Sequence, residues 1–130
     1  MIGLDSNVIV RILVKDDEAQ TSRAERLIAA SGRSGAFVSL IVLIETIWVV
    51  KSVYGRDRDE IVVAVEGLLA TTELAIESEA LVRAALSACA GSSADFADAL
   101  IGAINKAAGC VSTATFDRKA ARLEEFSRVP

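Results

Sequence analysis

Short apolar runs that end in a polar residue alternate with longer stretches of helical period, and this alternation restricts the chain to few architectures. Met1-Ile2-Gly3-Leu4 stops at Asp5 and reads as a buried strand. Ser6 is expected to cap a helix over Asn7 to Val14 carrying Val8, Ile9, Ile12 and Leu13. After the polar break Lys15 to Glu18, a second helix runs to about Ala30, and Ser31 to Gly35 is a loop. Ala36 to Ser39 reads as a strand, Leu40 to Tyr54 as a helix ended by Gly55. Asp57 or Asp59 starts a fourth helix to about Ala70, before a brief strand at Glu73 to Ile76. A fifth helix reaches about Ala90, and a sixth covers Asp95 to Ala108, closed by Gly109. Cys110 to Thr113 is expected as a strand, Asp117 to Arg122 as a helical turn, and Phe126 to Val129 as a last edge strand. Such a series implies right-handed crossovers and a mainly parallel sheet covered by helices on both faces. The one proline, Pro130, leaves the interior free to follow this plan.

The 130 residues fit a single domain, 1–130, able to bury enough surface to fold without disulfide or structural metal. Cys89 and Cys110 lie in apolar sequence and read as two buried free thiols of a reducing cytoplasm. No leader is visible, because Asp5 and Arg11 interrupt the apolar start. The apolar run Leu40 to Val50 contains Glu45 and falls short of the about 20 residues a membrane span needs. There is no histidine. That removes Ser-His-Asp and Cys-His nucleophiles and histidine acid–base cleavage of RNA. Catalysis, if present, must come from carboxylates, hydroxyls, lysines or a bound metal. A net charge of −4 disfavours broad electrostatic binding of nucleic acid. A carboxylate site filled by divalent cations is nonetheless locally neutral or positive, so RNA contact would be local and metal-dependent.

The acids fall at suggestive places. Ligands of open α/β sheets gather at the carboxyl ends of strands. Asp5 directly follows the first strand, and Asp117 lies just beyond the 110–113 run. Ile41, Ile44 and Trp48 stand −4, −1 and +3 from Glu45, which places Glu45 on or beside the expected buried stripe of its helix. A lone buried carboxylate is costly, although an edge position or an arginine partner would also satisfy it. Asp95 and Asp98 share a face at i, i+3, where Asp95 also reads as a helix cap and Asp98 as an acid favoured by the helix dipole. Taken together, four or five carboxylates can meet, and they repel one another unless cations fill the cluster. Mg²⁺ suits such oxygen ligands, and two metals would activate a water in phosphodiester cleavage. Arg11 and Lys15 follow the first acid, and Arg118, Lys119 and Arg122 the last. They either grip phosphates or form an ordinary solvated surface.

Two other Mg²⁺-binding designs fit less well. A receiver domain needs an acidic pair at the first strand and a late lysine, but Ser6 and Asn7 follow Asp5 and only Pro130 follows Val129. A haloacid-type phosphatase needs a second aspartate where Asn7 stands. A non-catalytic interaction module on the same fold is a further alternative.

The sequence resembles PIN-domain proteins, and specifically the VapC toxins of bacterial type II toxin–antitoxin pairs. The carrying residues are Gly3-Leu4-Asp5-Ser6-Asn7-Val8, Glu45, Ala94-Asp95-Phe96-Ala97-Asp98-Ala99-Leu100-Ile101 and Thr113-Ala114-Thr115-Phe116-Asp117. The resemblance implies a three-layer α/β/α fold and endonucleolytic cutting of RNA with Mg²⁺ or Mn²⁺. By it, Asp5, Glu45, Asp98 and Asp117 form the catalytic, metal-holding quartet and Asp95 is an accessory ligand. Asn7 and Thr115 orient the acids. It also implies a homodimer, and an antitoxin partner received by apolar surface around the first two helices and the fourth.

Overall fold

Six α-helices and five short strands form in the order that the alternation of the sequence predicts. The computed structural model describes all 130 residues, which divide into two units, Met1–Glu77 and Ser78–Pro130.

The N-terminal unit contains β1 (Ile2–Gly3), α1 (Ser6–Val14), α2 (Glu18–Ser31), β2 (Ala36–Val38), α3 (Leu40–Ser52), α4 (Arg58–Ala70) and β3 (Leu74–Ile76). Its strands pair in parallel in the order β1-β2-β3, with Ile2 opposite Ala36 and Ala36 opposite Leu74. Parallel neighbours require crossover connections, and the helices between the strands supply them. Side chains fix where these helices start. The carboxylates of Asp17 and Asp57 and the hydroxyl of Ser39 accept backbone N–H groups of α2, α4 and α3. Asp57 and Glu60 form a reciprocal capping box. At α1 the expected cap, Ser6, is the first helical residue instead. Asp5, in extended conformation, takes the capping position and accepts from the Ser6 backbone N–H at 2.7 Å.

Ile9, Val38, Leu43 and Val65 anchor this unit's core, each 2% exposed or less. Here α3 departs from expectation. Its buried stripe is Leu43, Thr46, Ile47 and Val50, while Ile41 and Trp48 are 78% and 64% exposed. Glu45 lies on the exposed side with them. The helix is apolar almost all round, so hydrophobic period alone could not tell its inner face from its outer one.

The C-terminal unit contains α5 (Glu79–Ala90), α6 (Phe96–Ala107), β4 (Thr113–Thr115) and β5 (Phe126–Arg128). Helices α5 and α6 pack together around Val82, Ala85, Cys89, Phe96, Ala99 and Leu100. Strands β4 and β5 pair in parallel, Thr113 opposite Phe126, as a separate two-stranded sheet. β4 begins three residues later than expected: Cys110 and Val111 are exposed, and pairing starts at Thr113. Cys110 is therefore not a buried thiol, whereas Cys89 is, with its sulfur 3.6 Å from the Ala94 carbonyl. Gly102 of α6 is buried where a Cβ would stand 2.6 Å from the Phe126 ring, so the close approach of β5 to α6 requires glycine.

Candidate active site

Asp5 follows β1 by two residues, and Asp117 follows β4 by two. The later start of β4 thus gives the two acids equivalent positions just past the carboxyl ends of parallel strands, where α/β proteins hold ligands.

In the N-terminal unit two acids meet through one hydroxyl. Ser6 is buried, and its Oγ donates to Glu45 Oε1 at 2.7 Å. Asp5 Oδ1 lies 3.5 Å from the same Oγ and accepts from the Ser6 backbone N–H. A hydroxyl has one proton, so Ser6 donates to one carboxylate at a time. These bonds occupy one oxygen of each acid, Oδ1 of Asp5 and Oε1 of Glu45. The remaining oxygens are hard donors suited to a divalent cation. Thr46, the residue after Glu45, has its Oγ1 buried without a hydrogen-bond partner. Glu77, next after β3, accepts the Leu40 backbone N–H at 2.8 Å and so fixes the start of the helix that carries Glu45. Neither Ser6 nor Glu77 was assigned to the site from sequence. Ser6 read as a cap, and nothing in the pattern around Glu77 marks its reach to a helix 37 residues earlier.

Asn7, expected to orient the acids, is exposed and lines a groove between α1 and α2. The basic residues after Asp5 do not stand ready for phosphates. The Arg11 guanidinium is paired with Asp16 and donates to the Tyr54 hydroxyl at 2.9 Å, and Lys15 Nζ is 3.6 Å from Glu25.

In the C-terminal unit Asp95 occupies the position before α6, but its side chain makes no capping hydrogen bond to the helix. Asp95 and Asp98 are both half-buried, and the adjoining Phe96, Ala99 and Leu100 are buried, which holds their backbone rigidly. Asp117 is exposed and organised by its own turn. Its Oδ1 accepts the backbone N–H groups of Lys119 at 2.8 Å and Ala120 at 2.9 Å, and its own N–H donates to Thr115 Oγ1 at 3.0 Å. The Ala120 N–H, opposed by some desolvation and helped by the N–H and charge of Lys119, holds the Asp117 carboxyl below its ordinary range. Thr115 thus contacts the backbone of Asp117, the acid nearest to it in sequence among those it was expected to orient. Arg118, Lys119 and Arg122 are exposed beside it.

The donor chemistry of the Asp5–Glu45 pair fits a divalent cation, although nowhere in the chain are three or more acidic or thiol groups gathered as a ready cation site. The order of the motifs can be compared with known proteins. The sequence matches the PIN domain profile over residues 2–126. The chain belongs to the PIN-domain family. That membership makes its fold class α/β/α and its general class that of the nucleases acting on RNA, a family whose members are typically metal-dependent. No curated protein matches the chain. The PIN match takes in both units and every acid named above. No helix of this PIN domain is long and apolar enough to cross a membrane.

Proposed function

We propose that this PIN domain is an endoribonuclease of the VapC toxin type, dependent on Mg²⁺ or Mn²⁺, in which residues 1–130 act as one catalytic domain. The observation that carries the reading is the Ser6 hydroxyl joining Asp5 to Glu45 from 39 residues away. Two carboxylates sharing one hydroxyl, each with an oxygen left over, are a poor arrangement for stability and a good one for a cation.

Asp5 and Glu45 hold the cation, and Asp98 and Asp117 complete the set with Asp95 as accessory, following the order of the family's motifs. A divalent cation bound there supplies Lewis-acid activation of water and neutralises charge on the phosphate. The chain's own part is placement. Ser6 keeps Glu45 beside Asp5, Glu77 fixes the start of α3, and Thr115 with the 119–120 backbone amides sets the Asp117 carboxylate.

The partners follow the same reading. An antitoxin peptide occupies the cavity of about 440 Å³ in the N-terminal unit lined by Leu13, Val14, Val50, Ile61, Val63 and Ala64. An arginine of that peptide reaches the acids and blocks the cation. The exposed Ile41 and Trp48 on α3 meet a second copy in a two-fold dimer. A toxin that cuts the cell's own RNA acts in the cytoplasm.

The deciding experiment is cleavage of single-stranded RNA by the purified protein. Cutting in Mg²⁺ or Mn²⁺, arrest in EDTA, and loss in Asp98→Asn are expected. Products should carry 5′-phosphate and 3′-hydroxyl ends, because water rather than the neighbouring 2′-hydroxyl attacks. Cutting that persists in EDTA, or 2′,3′-cyclic phosphate ends, overturns the mechanism. Light scattering at micromolar concentration that shows only monomer rejects the dimer.

A further inference from the structure

Between α1 and α2 runs a groove of about 540 Å³ lined by Asn7, Val8, Arg11, Gln20, Arg23, Ala24 and Leu27. Its charge is opposite to that of the chain. The protein carries a net charge of −4, and two other grooves mix cations with acids: Arg56 with Asp59 and Glu60 in one, Lys106 with Glu124 and Glu125 in the other. This one is lined by two arginines and no carboxylate. Arg11 is partly neutralised by Asp16, whereas Arg23 has no ion pair. The side-chain amides of Asn7 and Gln20 likewise hydrogen-bond no protein group, and only the backbone N–H of Gln20 is engaged, by Asp17. Leu27, 40% exposed, and Val8 add apolar surface. Asn7 stands two residues beyond Asp5, about 3 Å along the helix axis at the rise of an α-helix.

We propose that this groove is a nucleotide subsite for single-stranded RNA, adjoining the candidate active site on the Asp5 side. Arg23 binds a phosphate. The amides of Asn7 and Gln20 each offer a donor and an acceptor to a base edge, and Leu27 and Val8 cover the base's flat face. An unstacked base can enter such a groove, whereas a base held inside a duplex cannot. The amides distinguish this groove from a plain anion site, and its polar lining distinguishes it from the apolar cavity at Leu13 and Ile61. The position of the subsite relative to the cut rests on the nuclease reading of Asp5. Its affinity for RNA does not.

The test uses Arg23→Glu and Gln20→Ala in the full chain, both at exposed positions whose melting temperature should stay at the wild-type value. Initial rates with a labelled single-stranded RNA in Mg²⁺ should show KM raised roughly tenfold for Arg23→Glu with kcat little changed. The slope of log affinity against log salt should fall by about one. Gln20→Ala should raise KM for some sequences more than for others, since it reads a base. If the protein does not cut, the anisotropy of the same RNA in the same buffer reads binding directly. The nuclease reading then fails while the subsite is still judged by the difference between wild type and Arg23→Glu. Equal affinity of wild type and Arg23→Glu overturns the subsite. So does equal loss for single-stranded and duplex RNA, which would mean unspecific charge. Unchanged RNA binding with lost binding of an oligoglutamate peptide would assign the groove to an acidic peptide and also overturn it.

Discussion

The acids of the two units are held in opposite ways. Asp5 and Glu45 are 40 residues apart in sequence and are joined by a buried hydroxyl that exists only once α1 has packed on α3. Asp117 is held by groups two and three residues away, within its own turn. The first arrangement depends on tertiary structure and cannot be formed or repaired locally. The second survives as long as the turn does. Removing Ser6 should therefore unsettle both acids that it joins, whereas removing one contact of the Asp117 turn leaves that carboxylate held by the others.

The largest effect expected is from Glu45→Gln or Asp5→Asn, each of which should lower the cleavage rate by orders of magnitude, since each removes a cation ligand. Rates measured beside thermal melts will show whether folding is kept. A fold loss matching the rate loss would make the pair structural. Ser6→Ala comes next, with a loss of roughly 10–100-fold in activity or apparent Mg²⁺ affinity, the range for residues that orient metal ligands. The missing buried hydrogen bond should also destabilise by about 1 kcal/mol. Ser6→Thr keeps the hydroxyl and should recover much of the Mg²⁺ response. If alanine and threonine bind Mg²⁺ alike, the hydroxyl does not organise the pair.

Thr115→Val should cost only several-fold in rate, because the two backbone amides still hold Asp117 once the Thr115 acceptor is gone. A loss as large as that of Ser6→Ala would erase the contrast between the two units. The smallest effect concerns stability and pH. Folding lowers the Asp117 pKa, so the folded state favours the carboxylate. The resulting stability is present above the unfolded value of about 3.9 and is lost as pH falls through the lower folded value. Asp117→Ala should therefore melt slightly below wild type at neutral pH, and the gap should close in acid. A gap that stays constant with pH would show that the carboxylate's charge is not what holds the turn.

The sequence disclosed the element order, the parallel sheet class and the edge positions of Asp5 and Asp117, because strand-ending acids and helix caps are local signals. It misplaced whatever depended on the third dimension. The inner face of α3 was unreadable because Ile41, Leu43, Ile44, Ile47 and Trp48 surround the helix, leaving no polar side to mark the exterior. Ser6 looked like a cap because Asp5 and Ser6 are both capping residues, and backbone geometry alone decides between them. For Arg11 and Lys15 the sequence left a phosphate grip and a solvated surface equally open, because Asp16, Tyr54 and Glu25 reach them only after folding. The Thr113-Ala114-Thr115 strand lacks large apolar residues, which drew the expected strand toward Cys110 and Val111.

Trp48 is the chain's one tryptophan, and it projects from the outer side of α3, three residues past Glu45. Intrinsic fluorescence is therefore a single-site signal located one helical turn from a candidate ligand. Its emission in the free protein should lie toward the red, as for a water-exposed indole. A blue shift on adding a second copy, a peptide or RNA would report, without any label, which of them covers that face of the helix.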